Sequence, residues 1–109
     1  MRGYYLLNDD RTVRAVSETE WTLGANLVVD AERRCVGDDY IDKWRISTVF
    51  IGIDMTPSFL PDSAPPRIFE TMVFHPDGLQ VVGRPSTWDE AEALHKATVE
   101  WLRNTLAEK

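Results

Sequence analysis

Two apolar runs in the middle of the chain have the look of buried strands, and a helical period of apolar positions appears before and after them. Residues 46–53, ISTVFIGI, and 68–74, IFETMVF, are the two most apolar runs. Their β-branched and aromatic content predicts strands. Each run also carries polar groups, Ser47 and Thr48 in the first and Glu70 and Thr71 in the second. Ser47 and Thr48 must point to opposite sides, so only one can face the core, where a hydroxyl can bond across the ladder. Alternation puts Glu70 on the side of Ile68, Met72 and Phe74, against Phe69, Thr71 and Val73. Two readings of Glu70 stay open. Its side of the sheet is partly solvated, or the carboxylate is buried and paired with Arg45, Arg67 or a ligand donor.

The remaining elements follow from turn and cap signals. Tyr4–Leu7 and Thr12–Val16 flank Asn8-Asp9-Asp10, which predicts a hairpin. Ser17 and Glu20 form a capping box before a helix that carries Trp21, Ala25 and Val28 or Val29 on one face. Gly24 limits that helix to about two or three turns. A strand from Arg33, a turn at Gly37-Asp38-Asp39 and a long strand to Ile53 come next. The connector DMTPSFLPDSAPPR is too rich in proline for a helix or a central strand, and Asp54 reads as its turn-initiating residue. Pro76-Asp77-Gly78 predicts a turn into a last strand, LQVVGR. Thr87 and Glu90 form a second capping box, and Ala91, Leu94, Thr98, Trp101 or Leu102, and Leu106 recur at helical spacing behind it. The expected fold class is α+β in a single domain over 1–109. It comprises an antiparallel sheet of about five or six strands, a short helix in the N-terminal half and a long C-terminal amphipathic helix.

Composition narrows the chemistry. The 109 residues suffice for one modest core. Cys35 is the sole cysteine, which excludes an intrachain disulfide and a cysteine-based metal site. His75 and His95 match no metal spacing, so no metal or cofactor is expected. No apolar run is long enough to span a bilayer or to serve as a signal-peptide core, and the expectation is a cytoplasmic chain with no membrane partner. A net charge of −6 argues against DNA or RNA as partner. Nine of the twelve basic residues are arginine, the type that grips phosphates and carboxylates in a fork, so a local cluster can still bind a small anion. No nucleophile elbow, phosphate loop or dinucleotide turn is present. His95, beside Leu94 at the edge of the apolar stripe, reads as a core histidine, a ligand contact or a general base. Trp44 and Trp88 sit at element boundaries, where a half-exposed ring can stack on a base.

ISTVFIGID, the proline-rich loop ending PPRIFETMVF, and STWDEAEALH stand in an order that resembles a family of small phage and prophage proteins, over roughly residues 44–101. Met55 and a longer proline-containing stretch stand where that family often has a histidine and a glycine-rich loop. The chain also resembles anti-defence sponges of the Thoeris type, which form homo-oligomers and sequester cyclic nucleotide signals. That resemblance implies a non-enzymatic protein in the host cytoplasm with a nucleotide-type ligand. An adenine would stack on Trp88, Phe74 or Trp44, phosphates would meet Arg67, Arg84 or Arg45, and Glu70 and His95 would be further ligand contacts. Two alternatives belong to other classes: an anti-CRISPR-like inhibitor that uses acidic surface to occupy a host effector, and a small hydrolase built on Glu70 and His95.

Overall fold

The computed structural model describes residues 3–24 and 31–108. In chain order the elements are β1 (Tyr4–Leu7), β2 (Val13–Val16), α1 (Glu18–Gly24), α2 (Ala31–Arg34), β3 (Cys35–Ile41), β4 (Trp44–Phe50), β5 (Phe69–His75), β6 (Gly78–Gly83) and α3 (Trp88–Ala107). This is the α+β arrangement expected from the sequence, with all strand pairs antiparallel. The six strands divide into a two-stranded sheet, β1-β2, and a four-stranded meander, β3-β4-β5-β6.

Both capping boxes form. The Ser17 hydroxyl accepts from the Glu20 amide at 3.1 Å, and Thr87 accepts from the Glu90 amide at 3.1 Å. Each satisfies one of the amides that a helix start leaves without an intrahelical partner. Ala25, Val28 and Val29, expected on the first helix, lie outside the described residues.

Three sequence expectations change. Gly37-Asp38-Asp39 is not a turn but the middle of β3, and the chain reverses at Asp42-Lys43 instead, where Asp42 takes a left-handed φ of 54°. Aspartate tolerates that conformation better than most residues, which is why a two-residue connection closes there. Arg33 and Arg34 belong to the short α2 rather than to a strand. The long strand stops at Phe50: the amides of Ile51 and Gly52 both reach the Ile68 carbonyl, at 2.8 and 3.1 Å, and Ile53 bridges to Tyr4. Ile68 therefore precedes β5 and is fully buried, so it does not share the side of Glu70.

Helix α3 lies across β3, β4 and β5 and covers one face of the meander. That face carries Ile46, Thr48 and Phe50 from β4 and Phe69, Thr71 and Val73 from β5, all buried. The helix meets it with Trp88, Ala91, His95, Thr98, Val99 and Leu102. Leu102, not Trp101, is the core residue of the expected stripe: Trp101 is 57% exposed. Trp88 is not half exposed either. It is buried, edge-on to Phe69 at 6.3 Å.

Gly52 joins the two sheets, its carbonyl accepting from the Tyr5 amide at 2.8 Å. Its φ is +75°, and a Cβ there would lie 2.7 Å from the Tyr5 backbone oxygen. Gly52→Ala is expected to cost at least about 2 kcal/mol, from the left-handed penalty and the clash together. Urea denaturation measures it, and an unchanged midpoint would contradict this account of the junction.

Candidate functional site

One chain of hydrogen bonds links α3 with β3, β4 and β5 and is buried at its threonine end. Asp39 on β3 takes the Nε2–H of His95 on α3 at 2.6 Å. His95 Nδ1 meets the hydroxyl of Thr48 on β4 at 2.7 Å, and Thr48 meets the hydroxyl of Thr71 on β5 at 2.7 Å. Register explains the convergence, because Thr48 pairs with both Gly37 and Thr71, and Asp39 pairs with Ile46 on the same side. Gly37 makes room for the ring: a Cβ there would sit 2.6 Å from it. The order carboxylate, imidazole, hydroxyl is that of an activated nucleophile. Thr48 and Thr71 are both 0% exposed, however, so no substrate carbon can reach either oxygen. The threonine end of the chain is closed, while at the other end the Asp39 side chain is 44% exposed and lines, with His95, a cavity of about 460 Å³.

Among the described residues no helix covers the opposite face of the meander, which has its own ion pair. Arg45 forks onto Asp38, with Nε and Nη2 donating at 2.8 and 3.2 Å, and lies over the rings of Tyr40 and Phe74 at 5.6 and 5.5 Å. The hydrogen bond to Asp38 raises the Arg45 pKa above its ordinary value. Burial, with Asp38 adding to it, pushes the Cys35 thiol up as well, which disfavours the thiolate and any nucleophilic role.

The third arrangement is a cleft of about 580 Å³ between the long loop, the segment after β6 and the first turns of α3. Its walls carry Arg67 and Arg84, with Ser86 and Glu90 as further polar groups and Leu60, Pro65 and Leu94 among the apolar ones. Asp54 builds the loop stem. It is buried, and its Oδ1 accepts from the amides of Thr56 and Arg67, at 2.9 and 3.0 Å, and from the Thr56 hydroxyl. Met55 donates to the Arg67 carbonyl at 3.0 Å and closes the stem. The turn-initiating reading of Asp54 thus describes its geometry, and the same carboxylate also fixes the backbone of Arg67. Arg84 Nε donates to Glu70 at 2.9 Å, so the partner of Glu70 is neither Arg45 nor Arg67. The Arg67 guanidinium is exposed and has no ion-pair partner among the described residues.

The structure therefore brings together Arg67, Arg84 and Glu70 from the expected site residues. Arg45 and Phe74 lie apart on the uncovered sheet face. Trp88 is in the core with Arg11 over its ring at 4.6 Å, leaving that ring face unavailable for stacking. His95 is interior rather than at the stripe edge, and the sheet separates it from Glu70. Sequence reasoning missed Asp39, because the turn reading of Gly37-Asp38-Asp39 hid its place in a strand. Among the described residues no group of three or more His, Cys, Asp and Glu could hold a metal, and no helix is long and apolar enough to cross a membrane. Comparison with protein-family models, curated proteins and solved structures found no match.

Replacing Thr48 by valine keeps the shape and removes the central hydroxyl, leaving His95 Nδ1 and the Thr71 hydroxyl without partners. The expected loss is about 1 to 3 kcal/mol in urea denaturation. Thr48→Ser, which keeps the hydroxyl, should lose less, and the reverse order would contradict a bonding role.

Proposed function

We propose that the protein is a binding module that holds a small anionic ligand of nucleotide type in the Arg67–Arg84 cleft without cleaving it. One observation carries this reading: Arg67, an uncompensated exposed guanidinium, stands on a wall of that cleft with its backbone fixed by buried Asp54. A fork of donors on a fixed backbone suits phosphate, while Leu60, Pro65 and Leu94 offer apolar surface to a base or sugar. The charge of Arg84 is already offset by Glu70, so Arg67 is assigned the larger share of affinity. Local charge of this kind can attract an anion despite the net charge of −6.

The resemblance to cyclic-nucleotide sponges is consistent with this reading and supplies the class of signal to try first, with the chain acting as a homo-oligomer in the host cytoplasm. Burial of both threonine hydroxyls and separation of Glu70 from His95 support binding over hydrolysis. Calorimetric titration with cyclic ADP-ribose isomers and cyclic oligonucleotides tests it. The expected results are saturable binding, intact ligand recovered after heating, and at least about a tenfold loss of affinity in Arg67→Ala. No heat and no shift in melting temperature with any of these ligands would overturn the proposal, as would release of a cleaved product.

A further inference from the structure

The two edges of the meander are built differently. Both edge strands contain a bulge, but β3 also carries Asp38 and Asp39, charges that discourage pairing with another chain. Edge strand β6, Gly78–Gly83, reads GLQVVG and has no charge and no proline. Its surroundings are apolar on both sides. Leu79 is 58% exposed, Val81 36% and Val82 41%, while Trp101 of α3 stands 57% exposed across a groove that Gln80, Val82 and Trp44 also line. Helix α3 covers β3, β4 and β5, so this edge is where the layer is least finished.

We infer that β6 pairs antiparallel with β6 of a second copy of this chain, extending two four-stranded sheets into one of eight strands. The strand is self-complementary for that pairing. In the two-residue hairpin closed by His75 and Gly78, the closing pair exchanges hydrogen bonds, and the alternation then turns the backbone groups of Leu79 and Val81 outward. A two-fold axis at Gln80 places Leu79 opposite the partner's Val81, and Val81 opposite the partner's Leu79. All four outward residues then exchange ladder bonds, and their side chains meet on one face. The bulge at Val82 limits the regular ladder to Gly78–Val81, so side chains beside the strand must supply the rest. Both α3 helices lie on the same side of such a sheet, where Val82 and Trp101 of each copy flank the junction.

This assigns a surface to the homo-oligomer in the proposed function, but it rests on β6 and not on the Arg67 cleft, and each is measured separately. Sedimentation equilibrium of the full chain at about 50 µM should give twice the 12.5 kDa of one chain. Leu79→Lys and Val81→Lys, each placing a charge on an exposed position, should each weaken association at least about tenfold with melting behaviour retained. If one variant fails to fold, the other decides. In hydrogen exchange, amide protection at Leu79 and Val81 should rise with protein concentration. A monomeric wild type overturns the inference, as does a dimer that both lysine variants leave intact. Ligand binding by either lysine variant, titrated in parallel, tests the cleft alone.

Discussion

A histidine with 5% exposure between a helix and a sheet must find partners for both ring nitrogens inside the protein, because water cannot supply them. In this chain the partners come from three different strands, directly or through one hydroxyl. Asp39, Thr48 and Thr71 are each placed by strand register, and they define one position for His95 along and around the helix axis. Apolar contacts alone would tolerate a helix shifted slightly along the sheet; four specific hydrogen-bonding groups do not. With the Nε2–H on Asp39, neutral His95 accepts at Nδ1 from the Thr48 hydroxyl, which in turn accepts from the Thr71 hydroxyl, so one direction of donation satisfies the whole chain.

Fixing α3 in this way also places its N-terminus, and with it the wall of the Arg67–Arg84 cleft. Leu94 and Glu90 line that cleft from the turns before His95, opposite a loop whose stem is held by Asp54. Asp54 and His95 therefore perform the same task at two ends of the molecule. Each uses a buried polar group to fix irregular or movable parts.

Much of this fold was legible in the sequence where local signals are strong. The capping boxes at Ser17 and Thr87, the turn at Pro76-Asp77 and the alternation in β5 all specify geometry within a few residues. One of the two open readings of Glu70, an arginine pair, has the right chemistry, but it named Arg45 and Arg67 and not Arg84, which the β5-β6 pairing brings to it. The turn at Asp42-Lys43 was missed because Gly37-Asp38-Asp39 has the stronger turn composition, and strand pairing overrode it. His95 was placed at the edge of its stripe because hydrophobic periodicity has no means of recognising a polar residue that enters the core with partners. Those partners lie up to 56 residues away in sequence, beyond any local signal.

The central claim is that the buried polar chain is architectural and that the arginine cleft meets the ligand. Amide chemical shifts recorded during titration with cyclic ADP-ribose separate the two regions directly. The account predicts changes concentrated at Arg67, Arg84, Ser86 and Leu94, with Asp39, Thr48 and Thr71 little affected. Changes centred on Asp39 and His95, or on Tyr40 and Phe74 of the uncovered sheet face, would contradict it.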